Sequence, residues 1–137
     1  MGDRITFIFE DAPHSDETIV TCLYSHWGGD SRHEDLAHAI AKAQPRWSDP
    51  SYATRICVSQ IIGSDWDSET GFGLYGSKAQ DLYGYIGDNR DPIWVNWHDQ
   101  TVTIPETGEQ VTLDAYVVRF CSPEMVEQYR SSTGVDA

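Results

Sequence analysis

Apolar residues run almost unbroken from Ile5 to Phe9, alternate with polar ones from Thr18 to Ser25, and then recur every three or four positions between Leu36 and Ile61. The first two stretches predict strands joined by the polar, proline-bearing turn Glu10–Asp16, a hairpin. Val20, Cys22 and Tyr24 fall on one face of the second strand and Ile19, Thr21 and Leu23 on the other, which makes it a central strand covered on both sides. The first helix is predicted to start at Asp30 or Ser31, where Ser31 and Glu34 have capping-box spacing. Leu36, Ala39, Ile40 and Ala43 then form a narrow stripe, and Pro45 stops it. A second helix opens at Ser48 or Asp49 with Pro50 in its first turn. Tyr52, Ala53, Ile56, Cys57 and Ile61 fall on one broad face of it, and Gly63 closes it.

Beyond Asp65 the helical period gives way to glycine, aromatic and β-branched residues. Strands are predicted at Phe72–Tyr75 and Leu82–Ile86, and a hairpin pairs Ile93–Trp97 with Thr101–Ile104 across His98-Asp99-Gln100. After the turn Pro105–Glu109, Val111–Phe120 alternates as a long strand. Ser122-Pro123-Glu124 opens a short terminal helix reaching Arg130. Strands and helices do not alternate, so a doubly wound fold is disfavoured. The expectation is one α+β domain over residues 1–130 with a frayed tail at 131–137. Its antiparallel or mixed sheet carries two helices mainly on one face and a short C-terminal helix.

Composition narrows the partners. The 137 residues fit a single core, and five Trp, seven Tyr and four Phe argue against disorder. Twenty-two Asp and Glu face only nine Lys and Arg, a formal charge of −13 with Lys42 and Lys78 the sole lysines. Such a surface repels nucleic acid and membranes, which excludes direct nucleic-acid binding as the leading function. The acidity reads either as a habit of the source organism or as a means of engaging a basic protein surface. No leader and no apolar run near the roughly 18 residues of a spanning helix is found, so a cytoplasmic protein is expected. Cys22, Cys57 and Cys121, odd in number and set in apolar runs, are expected to be buried free thiols.

Candidate chemistry gathers at Tyr24-Ser25-His26-Trp27-Gly28-Gly29-Asp30, where a strand runs through two glycines into a helix. Helix N–H groups there could hold an anion or a carbonyl, with His26 beside them to exchange a proton, although Asp30 brings its own negative charge to the cap. The competing reading is a tight structural corner. Gly71-Phe72-Gly73-Leu74-Tyr75-Gly76 matches the dinucleotide fingerprint in letters only, since an acidic loop precedes it where a strand should stand. A glycine-kinked strand is the better reading. Asp65–Glu69 resembles a calcium loop, but Thr70 and Gly76 occupy the positions that need glycine and glutamate. His33 and His38 are five apart and no C-x-x-C exists, so no metal and no cofactor is expected. Cys22 and His26 lie too far apart along one strand for a dyad, and no catalytic residue is assigned. Among the aromatics, Trp94 falls on the opposite strand face from Trp97 and is a candidate exposed hot spot.

The blocks Tyr24–Gly29, Arg46-Trp47-Ser48-Asp49-Pro50-Ser51-Tyr52-Ala53-Thr54-Arg55-Ile56 and Glu69-Thr70-Gly71-Phe72-Gly73 resemble, in the same order, the signature blocks of a family of small uncharacterised proteins of high-GC bacteria and their phages. The resemblance covers the central third of the chain and implies a mobile-element origin without a mechanism. The leading expectation is a noncatalytic acidic binding protein, a phage or mobile-element inhibitor that engages a basic, nucleic-acid-binding host protein in the host cytoplasm. The alternatives are a small-ligand or nucleotide sponge centred on His26, Trp27, Gly28 and Gly29, with Arg55 as anion partner, and a small hydrolase using His26 with Asp30, Asp49 or Asp99. Tyr24, His26, Trp27, Gly28, Gly29, Arg55 and Trp94 are the candidate binding residues, and the oligomeric state stays open.

Overall fold

A computed structural model describes residues 3–83 and 90–133. Six strands, β1 (Ile5–Glu10), β2 (Ile19–Ser25), β3 (Phe72–Lys78), β4 (Ile93–Asn96), β5 (Thr101–Thr103) and β6 (Gln110–Thr112), form one sheet in the order β3-β2-β1-β4-β5-β6. Among the described strands only β1 and β4 run parallel, so the sheet is mixed and the α+β expectation holds. The predicted hairpins β1–β2 and β4–β5 are both present, and β2 is central between β1 and β3.

Four helices, α1 (Arg32–Lys42), α2 (Pro50–Ile62), α3 (Leu113–Phe120) and α4 (Pro123–Thr133), complete the domain. The main core gathers Ile5, Phe7 and Phe9 of β1 and Leu23 of β2 with Leu36 and Ile40 of α1 and Ala53 and Cys57 of α2. The opposite sheet face holds a smaller cluster, Ile8, Val20 and Cys22, roofed by Ala79 and Leu82. Each β1 side chain is therefore buried on one face or the other, which explains its unbroken apolar run. Trp47 donates its indole N–H to the Ile40 carbonyl at 2.9 Å, satisfying an acceptor near the end of α1. Gly63 closes α2 at φ 58°, as expected.

Several expectations are corrected. Val111–Phe120 is not a long strand: β6 ends at Thr112, whose hydroxyl accepts from the Ala115 amide at 3.1 Å and caps α3. Leu113, Tyr116 and Val117 then bury one helical face, so a period of 3.6 prevails over β-type composition. Ser31 precedes α1 without a capping box, because its hydroxyl donates to the Asp35 carboxylate at 2.7 Å. β3 extends to Lys78. Leu82 closes a 3-10 turn, Ala79–Leu82, and the remainder of the strand expected at Leu82–Ile86 lies largely outside the described residues. Residues 131–133, expected to fray, belong to α4.

Burial pushes the Cys22 and Cys121 thiols up to about 11 and Cys57 higher still, so all three are protonated at neutral pH. Among the described residues no helix is long and apolar enough to cross a membrane, and no group of three His, Cys, Asp or Glu is placed to hold a metal ion.

Candidate partner-binding site

The β2–α1 corner is stitched on three sides. The His26 amide donates to the Gly71 carbonyl at 2.9 Å, continuing the β2–β3 ladder one residue past the strand. The Gly29 amide donates to the Asp3 carbonyl at 2.8 Å, and Arg32 reaches back to the Gly29 carbonyl at 2.6 Å. Both glycines answer to close approach: a Cβ on Gly28 would stand 2.6 Å from the Ser25 hydroxyl, and one on Gly29 would strike Asp3 and the Arg90 guanidinium. Arg90 bridges Asp3 at 2.8 Å and Asp30 at 2.8 Å, and its hydrogen bond holds the Asp3 carboxyl below the ordinary range.

Gly29→Ala should therefore cost about 1–3 kcal/mol, the usual penalty of overpacking. A urea midpoint that falls with unchanged slope would register it. A midpoint equal to wild type would mean that the Asp3–Arg90 pair moves aside freely.

An anion at this corner would meet two carboxylates, and the Gly29 amide is already spent on Asp3. The corner instead borders a cavity of about 360 Å³ on the helical side of the sheet. Phe7, Phe72 and Ile61 supply apolar lining, and Trp27 lines it while remaining 66% exposed. Asp35 of α1 and Asp65, just beyond α2, also line it. So does Ser25, which is 3% exposed. The adjoining segment 63–70 is exposed throughout and carries Trp66, 76% exposed, among Asp65, Asp67 and Glu69.

The sequence-predicted residues separate into groups. Tyr24, His26 and Trp27 form a string: the Tyr24 hydroxyl lies 2.8 Å from His26 Nδ1, and the His26 and Trp27 rings meet edge to face at 4.3 Å. Trp27 and Gly28 touch the cavity, whereas Gly29 is buried beneath the Asp3–Arg90 pair. Arg55 stands apart, exposed on α2 over a separate groove with Thr54, Val58 and Leu74. Trp94 is on the opposite sheet face and half-buried, so the strongly exposed tryptophans are Trp27 and Trp66.

Sequence reasoning missed Ser25, Asp35 and Asp65 as members of one site. Asp35 is one turn into a helix and Asp65 is 40 positions from Ser25, so no local signal joins them.

Three comparisons with known proteins bear on this geometry. None finds a match, whether among family models, curated proteins or solved structures.

Proposed function

We propose that this is a noncatalytic acidic recognition protein that captures a cationic side chain of a basic protein partner in the Trp27 cavity. The observation that carries the reading is one cavity whose lining brings together the exposed Trp27 indole, the two acidic residues Asp35 and Asp65 and the apolar Phe7 and Phe72. An arginine or lysine carries an apolar stem and a charged head. Phe7 and Phe72 suit the stem, Asp35 and Asp65 the head, and the Trp27 face adds cation–π attraction. Trp66 and its acidic segment extend the surface around this anchor, and an indole inside a charged rim is the usual form of a binding hot spot.

The net charge of −13 steers the protein toward basic partners and away from phosphate. The partner class favoured is a nucleic-acid-binding protein whose basic groove this surface would cover, which makes the protein an inhibitor of that groove. The resemblance to bacterial and phage proteins is consistent with such a role.

Fluorescence anisotropy with labelled nona-arginine tests the cavity directly. Trp27→Ala, and Asp35→Asn with Asp65→Asn, should each weaken binding about tenfold or more, the worth of one desolvated hot spot. Neutralising Glu124 and Glu127 on α4 removes the same charge elsewhere and should change affinity less than about twofold. Equal losses from the two double variants would show that bulk acidity binds the peptide and would sink the cavity reading.

A further inference from the structure

The sheet face opposite α1 and α2 carries a second constellation. Glu10 is 2% exposed, at the end of β1. Its carboxylate accepts from His14 Nδ1 at 2.9 Å and from the Asn96 amide at 3.2 Å. His14 Nε2 lies 2.7 Å from the Tyr83 oxygen, and the Tyr83 hydroxyl donates to Asp16 at 2.9 Å. The Asn96 amide also donates to the Ala12 carbonyl at 3.0 Å and its oxygen accepts from the Asp99 amide at 2.8 Å, so this side chain is fixed at both ends. Beside them lies a cleft of about 240 Å³, with Trp94 and Tyr83 as its aromatic members and Thr101, Thr103 and Gln110 from β5 and β6.

We propose that this cleft binds an uncharged polyhydroxylated ligand of the saccharide class. All nine lining side chains carry hydrogen-bonding groups, which disfavours an apolar ligand. Each carboxylate lining the cleft already has a hydrogen-bond donor: Glu10 has His14 and Asn96, and Asp99 has His98 at 3.0 Å; Asp16, outside the lining, takes the Tyr83 hydroxyl. These carboxylate oxygens are committed to holding the frame, and their charge repels an anion such as phosphate. What faces the cleft is hydroxyl and amide chemistry at Thr101 and at Thr103 and Gln110, the last two joined by a long hydrogen bond of 3.4 Å, together with the second oxygen of Asp99 and aromatic surface.

That surface is held in place. His14 meets Trp94 nearly perpendicularly at 5.5 Å and Tyr83 lies 6.2 Å from it. A sugar ring presents a C–H face to an aromatic plane and hydroxyls at its rim, which matches this division. A polar frame already locked by its own hydrogen bonds loses little freedom when the ligand arrives. The burial of Glu10 also gains a purpose, because a carboxylate on a sheet face otherwise lined by Thr6, Ile8 and Cys22 is costly to desolvate and serves to position His14 and Asn96.

The test uses the full chain labelled with 5-fluorotryptophan, its Trp94 and Trp27 19F signals assigned by Trp→Phe substitution. A printed array of neutral and acidic oligosaccharides is screened first, and the best-retained neutral glycan is then titrated by 19F NMR. Saturable movement of the Trp94 signal with the Trp27 signal still is expected, and Thr103→Ala and Gln110→Ala should each weaken binding about threefold or more, the worth of one hydrogen bond. Both residues sit on short outer strands, so circular dichroism should confirm an unchanged fold. Retention of no neutral glycan, movement of Trp27 alone, or a Trp94 response to arginine amide or inorganic phosphate but not to sugar would each overturn the proposal.

Discussion

Trp97→Ala should be among the most destabilising substitutions in the protein, at about 3–5 kcal/mol for loss of a buried tryptophan. Trp97 follows β4 directly and is 2% exposed. Its ring lies 6.1 Å from Phe9 with planes 9° apart, and its indole donates to Thr54 of α2 at 2.9 Å. One side chain thus ties the parallel β1–β4 pair to a helix. Alanine would remove the ring, leave a void and orphan the Thr54 hydroxyl. Domains of this size have about 5–15 kcal/mol of stability in total, so a large fraction is at stake.

Urea denaturation should show a much lower midpoint for Trp97→Ala. Thr54→Ala loses only the hydrogen bond and should cost about 1 kcal/mol. Equal losses for the two would mean that the indole N–H, and not packing, carries the contribution.

His33→Ala should cost about 2–4 kcal/mol, because it strands a buried hydroxyl and removes an aromatic contact. His33 sits on α1 with Nδ1 2.7 Å from the Tyr116 oxygen and Nε2 2.7 Å from Glu106, while its ring stacks on Phe120 at 4.6 Å. Tyr116 is wholly buried, and burial raises its hydroxyl pKa, so it acts as a donor. A neutral imidazole satisfies both contacts at once, accepting from Tyr116 at Nδ1 and donating to Glu106 at Nε2.

Burial lowers the His33 pKa and prevails over the upward pull of Glu106, while Arg32 and Arg119 add to the lowering. Burial acts to raise Glu106, but hydrogen bonds from Arg32 and His33 outweigh it and leave that carboxyl below its usual range. The sign follows from linkage. A histidine that resists protonation in the folded state contributes fully above its ordinary value of 6.5, and that contribution declines as pH falls below 6.5 toward the lower folded value. The stability gap between wild type and His33→Ala should therefore be larger at pH 8 than at pH 5.5, read from urea midpoints. A gap that widens on acidification would show that His33 is held as a cation.

Both predictions rest on contacts of differing legibility. The two hairpins and the first two helices could be read from sequence because their signals are local: alternation, a 3.6 period, Pro50 at a first turn and Gly63 at a last. Helix α3 could not, since Val111–Phe120 carries β-branched and aromatic residues at spacings that serve either period. The Thr112 cap and the packing of Leu113, Tyr116 and Val117 decide it, and both depend on the chain already being folded. Trp94 and Trp97 were separated correctly by strand alternation, yet which face helices would leave uncovered was not written in it.

The candidate site divides the same way. Tyr24, His26, Trp27 and Gly28 adjoin in sequence, so their neighbourhood was evident, and the glycines could be read as either an anion nest or a corner. Asp3, Asp30 and Arg90 weigh toward the corner, and Asp35 and Asp65 give the adjoining cavity its acidic character. The sequence by itself determined the element types in the first half, the α+β class and the strong negative charge, because these follow from near-neighbour periodicity and composition. Tertiary structure alone decided the parallel β1–β4 pairing, the helical end of Val111–Phe120, the acidic cavity beside Trp27 and the Glu10–His14–Tyr83 frame. Those depend on residues tens of positions apart, which only the packing of a mixed sheet brings within a few ångströms.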